Sequence, residues 1–327
     1  MAGRGGGDGT TPVLELRQYT LHPGARETLI EVFEDHFIEG QEACGMRVIG
    51  QFRDLDDPDR FVWLREFDGM DARARALEAF YTGPVWTAQA DRANATMIDW
   101  RDVLLLKPAN ARSGFAFDAT QRAGLRAAAQ SEPEPSARNA PALPALADDI
   151  LVVTIYALDV RDALDARDTF GAIDTTEARD ARDARDERHE RDERDELETR
   201  GGRETAQPSA FADWFRETAV PLLAQAGISV LAQLLTESAP NSFPRLPVRE
   251  GEQVFAWLAA YPDRASHAAA VRALDAQEAW REDALPALRA MTRGEPVKLA
   301  LSPTRRSWLR YRAAAHTVDS ADAARTA

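Results

Sequence analysis

Arg17 and Arg65 are the residues whose type and placement first invite chemistry. They fall in two short segments, Val13 to Leu21 and Arg60 to Phe67, that read as strands of one sheet. If those strands are neighbours and both side chains share a face, two guanidinium groups converge. A buried cation without a counter-charge is costly, so such a pair calls for a carboxylate. It belongs either to a bound small molecule, held in an anion clamp, or to the protein itself, from Glu15, Glu66 or a more distant acid. His36 is the candidate for proton transfer. It follows Leu29 and Phe33 at helical spacing, and an imidazole pKa of about 6.5 suits acid–base work. A satisfied histidine at a core edge would show the same pattern. Trp63, Trp86, Tyr19 and Tyr81 could wall an aromatic pocket. The lone Cys44 lies at a helix C-terminus, where the dipole disfavours a thiolate, and reads as inert. No phosphate loop, nucleotide fingerprint or paired-histidine metal motif stands out, so no cofactor and no metal are expected.

The elements that must position these residues follow from periodicity. Val13 to Leu21 alternates as a strand, with Leu14, Leu16 and Gln18 on one face and Glu15, Arg17 and Tyr19 on the other. Apolar residues recur at helical spacing from Ala25 to Ala43, and Gly45 ends that helix. Met46 to Phe52 and Arg60 to Phe67 read as the next strands. A helical region from Asp71 to about Asp99 breaks near Gly83-Pro84, and Val103 to Lys107 is the last strand. The order βαββαβ is that of a ferredoxin-like unit.

A second unit repeats the plan, with strands expected from Asp149 to Leu158, Val254 to Tyr261 and Val297 to Leu301. Trp63 and Trp257, Trp86 and Trp280, and Met97 and Met291 share one offset of 194 positions, and Tyr156 answers Tyr19. The repeat keeps both tryptophans, which points to packing. It replaces Arg17 by Thr154, His36 by Thr218, Arg65 by Ala259 and Tyr81 by Asp275. The polar residues held by one copy alone are therefore the functional candidates. The chain divides into a Gly-rich, disordered opening (1–11), a first domain (13–108), an Ala/Pro-rich linker (109–148), a second domain (149–303) and a tail (304–327). A charged insert at 161–210 carries arginines at every third position, a period that lines no single helix face. It reads as a solvated loop, His189 included.

One βαββαβ sheet leaves a face bare, and a second copy within the chain can cover it. Two sheets face to face would enclose a cavity. The alternation set that includes Arg17, Tyr19, Trp63 and Arg65 is expected to face that cavity.

The stretch Glu15-Leu16-Arg17-Gln18-Tyr19-Thr20-Leu21-His22-Pro23-Gly24 resembles the opening of NIPSNAP family domains. So do Gly45-Met46 followed by Gly50, the strand Arg60 to Leu64, and Phe80-Tyr81 with Pro84-Val85-Trp86. The resemblance covers 13–108 well and 149–303 more loosely. It implies the dimeric α/β-barrel superfamily, here built within one chain from two α+β, ferredoxin-like domains, the second degenerate. It does not imply one agreed chemistry. Other superfamily members carry out cofactor-independent oxygenation or isomerisation, and eukaryotic NIPSNAP proteins are linked to organelle and vesicle biology.

Composition narrows the partners. A net charge of −14 argues against nucleic acid and anionic membranes. No apolar run approaches the roughly 20 residues that span a bilayer. A single cysteine excludes an internal disulfide, and the opening residues lack a signal-peptide core, so a cytoplasmic protein is expected. Three functions stay open. One is binding of a small carboxylate-bearing or apolar molecule through Arg17, Arg65, Trp63 and Tyr81. Another is an enzyme using His36, and the third is a scaffold. Association into a homo-oligomer also stays open.

Overall fold

Runs of β-branched, leucine and aromatic residues close into one antiparallel barrel. The computed structural model describes residues 11–131, 149–159 and 208–311. Its strands are β1 (Val13–Leu21), β2 (Arg47–Asp54), β3 (Arg60–Phe67) and β4 (Met97–Pro108) in the first half. The second half supplies β5 (Ile150–Leu158), β6 (Val230–Thr236), β7 (Val254–Tyr261) and β8 (Thr292–Pro303). Around the barrel the order is β1-β3-β2-β8-β5-β7-β6-β4, closing on β1. Each half thus contributes four consecutive staves in corresponding order. The halves meet along two short ladders, β2 with β8 (Phe52 opposite Pro303) and β4 with β6 (Leu106 opposite Thr236).

Registers correspond between halves. Arg17 pairs with Trp63 as Thr154 pairs with Trp257, and Glu15 with Arg65 as Val152 with Ala259. A bulge between Val48 and Gly50 in β2 returns between Val230 and Ala232 in β6. The first helical segment runs as α1 (Arg26–Val32), a π-helical turn (Phe33–Phe37) and α2 (Ile38–Glu42). Its counterpart is α6 (residues 208–214), a π-helical turn (Phe215–Ala219) and α7 (Val220–Gln225), with α5 (Ala119–Ser131) between the halves. Both segments end at a left-handed glycine, Gly45 at φ 91° and Gly227 at φ 80°, a conformation that other residues resist. The remaining helices are α3 (Met70–Tyr81), α4 (Pro84–Asn94), α8 (Arg264–Ala276) and α9 (Leu285–Ala290).

The barrel interior is packed apolar. Leu14, Leu16, Val62 and Leu64 of the first half meet Leu151, Val153, Leu258 and Leu299 of the second, all nearly inaccessible. Each such side chain contributes about 1.5–3 kcal/mol on burial, so this seam is what holds the halves together. The other strand face packs under the helices. Tyr19, Phe61, Trp63 and Phe67 lie against Leu29, Phe33 and Phe37.

This reverses the expected facing. Arg17, Tyr19, Trp63 and Arg65 do share a face, but it is the helix-covered outer face and not the space between the halves. In β1 both faces are buried, so alternation sorts residues into two sets without saying which set points inward.

Three smaller departures have plain causes. β4 and β8 begin several residues earlier than expected, at Met97 and Thr292, because they pair with β1 and β5 beyond the buried core. Their first residues are mostly exposed, so no buried face marks where the strands start. The helical region expected to reach Asp99 accordingly stops at Asn94. Part of the expected linker is helix α5, whose Arg122 donates to the carbonyls of Arg306 and Val48. The segment after β8 returns along β2, with Leu309 N–H donating to the Ile49 carbonyl at 2.8 Å, and Trp308 joins the interior. The Gly-rich opening and almost all of the charged insert, His189 included, lie outside the described residues.

Candidate functional site

The outer face of β1 and β3 carries charge where a core is expected. Glu15 stands opposite Arg65 in the ladder, and Arg17 follows two residues on, on the same face. Arg73, in the first turns of α3, completes the group. All three arginines bond the one carboxylate: Arg17 Nη1 at 2.7 Å, Arg65 Nε at 2.8 Å and Arg73 Nε at 2.7 Å. Glu15, Arg17, Arg65 and Arg73 are each 0% exposed. Burial alone would raise the Glu15 carboxyl pKa, but Arg65, Arg17 and Arg73 hold it well below the usual carboxylate range. For Arg73 burial wins, and with repulsion from Arg65 and Arg17 it lowers the guanidinium despite Glu15.

Other donors of the three arginines reach neutral acceptors, while Nη2 of Arg17 and of Arg73 has no hydrogen-bond partner among the described residues. Arg17 Nε donates to Tyr19 Oη at 2.9 Å, and Arg65 Nη1 to Gln41 Oε1 at 3.0 Å. Arg73 Nη1 donates to Asn241 Oδ1 at 2.9 Å and to Ser242 Oγ at 3.1 Å, both from the second half. The Arg65 guanidinium lies 4.9 Å from the centre of the Trp63 ring and that of Arg17 lies 5.6 Å from it. The network is thus a positively charged knot, and two of its acceptors, Tyr19 and Gln41, face one place.

That place is a cavity of about 230 Å³ between the first-half sheet and its helices. Tyr19 and Trp63 line its sheet side, Phe33 and Phe37 descend from the π-helical turn, Gln41 comes from α2, and Tyr81 and Trp86 come from α3 and α4. The π turn inserts an extra residue per turn, a device frequent at functional sites. Here it sets Phe33 4.7 Å from Trp63 and Phe37 5.6 Å from Phe80, ring centre to ring centre. The second half closes the cavity with Phe243, whose ring lies 6.0 Å from that of Tyr81 at 24°. Burial raises the Tyr81 phenol pKa, against the pull of Arg65 and Arg17, so it stays a neutral donor.

Among the expected site residues, Trp63 and Tyr81 line the cavity. Arg17 and Arg65 stand behind its wall, paired with Glu15, so the reading in which the protein supplies the carboxylate describes them. His36 is half-buried on the π turn and is not among the lining residues. Arg73, Gln41, Phe243 and Arg245 were not singled out by sequence. The offset of 194 positions aligns Arg73 with His267, a charged-residue difference between the halves that is visible in the sequence. The loop that brings Phe243 and Arg245 has no counterpart signal. Gln51 opposes Trp63, and Gln233 opposes Trp257, so this repeated pair belongs to the fold's packing. Among the described residues no cluster of three or more His, Cys, Asp or Glu is placed to hold a metal, and no helix is long and apolar enough to cross a membrane.

With this geometry in hand, comparison with known proteins places the first half. Residues 14–111 match the NIPSNAP family model. No curated protein matches the chain. A solved NIPSNAP family protein of unknown function from Agrobacterium tumefaciens is similar at 24% identity, covering 31% of this chain and 91% of its own, with a TM-score of 0.29. Two solved structures described as candidate monooxygenases cover nearly the whole chain. The one from Lactobacillus acidophilus is 10% identical, covers 90% of this chain and 94% of its own, and has a TM-score of 0.44. The one from Fusobacterium nucleatum is 8% identical, covers 93% and 99%, and has a TM-score of 0.49. The resemblance to NIPSNAP domains read from the sequence is thus matched by the family model over residues 14–111.

Proposed function

We propose that the chain is a small-molecule binding protein whose ligand, an aromatic or aliphatic acid, occupies the first-half cavity. The observation that carries this reading is the cavity itself, walled by aromatic rings and backed by three arginines on one carboxylate. A pocket of this kind, apolar with a few convergent polar groups, is the common form of a ligand site. Tyr19 and Gln41 accept hydrogen bonds from Arg17 and Arg65, which leaves the phenol O–H and the amide N–H of these wall residues as donors for a ligand.

The same reading takes the chain as two ferredoxin-like halves, the second a degenerate copy that supplies the other side of the barrel. Corresponding strand order, bulges, π turns and terminal glycines support it. His36, the proton carrier expected from the sequence, does not line the cavity, and the reading is therefore of a binding site.

A thermal-shift screen of aromatic and fatty acids on the full chain tests this. A ligand present at a hundred times its Kd should stabilise the protein by about 2.7 kcal/mol, a rise of several degrees in Tm. Binding should also change tryptophan fluorescence through Trp63 and Trp86. No stabilisation by any acid contradicts the proposal.

A further inference from the structure

We propose that Arg245, carried on a strap from the second half, reads the anionic group of the ligand. The ligand is then an amphipathic acid whose rings enter the cavity while its carboxylate or sulfonate stays at the mouth. This rests on the cavity reading above and deepens it.

The buried arginines cannot do this directly. Arg17, Arg65 and Arg73 line no part of the cavity, and reaching them would require displacing Tyr19 or Gln41. Among the described residues, the one charged side chain that does line it is Arg245. Arg245 is exposed, its guanidinium carbon lies 5.8 Å from the centre of the Phe243 ring, and among the described residues no carboxylate pairs with it. Trp100, 42% exposed, lines the same cavity, so the rim offers an apolar shelf beside a cation.

The strap is a built fixture. It spans residues 237–253 between β6 and β7, and both its feet bond β4, Glu237 N–H to the Leu105 carbonyl and Arg249 N–H to that of Val103. Its middle is latched to the first half by Arg73 through Asn241 and Ser242, and Ser242 Oγ donates to the Met70 carbonyl. Phe243 stacks on Tyr81 and sets the position from which Arg245 leaves. A rim guanidinium held this way can take an anion bidentately while remaining partly hydrated, which avoids the cost of burying a further charge. The second half would thereby contribute to recognition as well as to the barrel.

Two dyes that share a ring system separate the parts. 8-Anilinonaphthalene-1-sulfonate carries an anion, and N-phenyl-1-naphthylamine lacks it. With the full chain, Arg245→Gln should weaken the sulfonate dye about tenfold and leave the neutral dye within about twofold of wild type. A sulfonate affinity unchanged in Arg245→Gln overturns the inference. Equal weakening of both dyes also overturns it, since Arg245 would then serve only to pack on Phe243. Leu29→Phe, which fills the cavity from α1, should weaken both dyes. If it weakens neither, the dyes bind elsewhere, and the cavity reading falls together with this inference.

Discussion

The outer faces of the two halves share a backbone and differ in content. On β1 and β3 the face carries Glu15, Arg17, Tyr19, Trp63 and Arg65; on β5 and β7 the same positions are Val152, Thr154, Tyr156, Trp257 and Ala259. The second set packs as an ordinary apolar layer with Phe211, Phe215 and Trp280. The difference teaches that the fold does not require the charges. Replacing buried ion networks by apolar side chains of similar size is often neutral or stabilising, so a network held by one half points to a role other than stability. The π turns sharpen this. Aligning Phe33–Phe37 with Phe215–Ala219 sets Phe211 opposite Leu29 and Leu223 opposite Gln41. In the second half the Phe211 ring packs 5.0 Å from Phe255, while in the first half Leu29 lines open space.

Substitutions can break this comparison, and Glu15→Gln should do so most strongly. It leaves three buried guanidiniums without a counter-charge and should cost about 3–5 kcal/mol in urea unfolding. On the corresponding face of the second half, Val152 takes the place of Glu15. A polar-to-apolar change at the neighbouring position, Thr154→Val, should stay within about 1 kcal/mol, because it exchanges a hydroxyl for an apolar group of the same shape. Equal costs would mean that the two faces are energetically alike.

Cavity size gives the next test. Phe211→Leu should cost about 1–2 kcal/mol, since it opens a hole in a filled layer. Leu29→Phe should cost no more than about 1 kcal/mol, since it grows into existing space. If Leu29→Phe is the more damaging, the first-half cavity is not room for a ligand.

Titration separates the halves by sign. The Glu15 pKa is depressed in the folded chain, so its contribution is full above the unfolded value of about 4.5 and declines as pH falls below it. Tyr261 in the second half is pushed up to about 12 by burial, so its contribution is full below the unfolded value of about 10 and is lost as pH rises through 12. Stability measured from pH 6 to 3 should therefore fall less in Glu15→Gln than in wild type, and Tyr261→Phe should flatten the alkaline limb alone. The smallest effect belongs to the surface of the first half. Arg92 and Glu31 pair at 2.9 Å between α4 and α1 but are largely exposed, and Arg92→Ala should cost at most about 0.5 kcal/mol.

How far the sequence reveals this depends on the kind of residue. β3 and β7 are legible to the residue because apolar alternation and acidic or polar turns bound them. The set of residues sharing Arg17's face is legible as well. Its direction is not, because β1 is buried on both sides and periodicity has no sign. Glu15 could be weighed as a partner for the arginines through simple proximity in sequence. Arg73 could not, since it reaches Glu15 from a helix, and the strap reaches the cavity from the other half of the chain. Contacts of that separation leave no local pattern. α5 is another such case: it is Ala-rich like a linker and is tied down by Arg122 alone among its charged side chains described here.

The central claim is that the first half keeps a ligand cavity where the second half keeps a phenylalanine. Titration calorimetry of 1-naphthoate into wild type and Leu29→Phe, in one buffer, tests it most directly. The account predicts one saturable site in the wild-type chain, weakened at least about tenfold in Leu29→Phe with little change in stability. Equal affinity in the two proteins would contradict it.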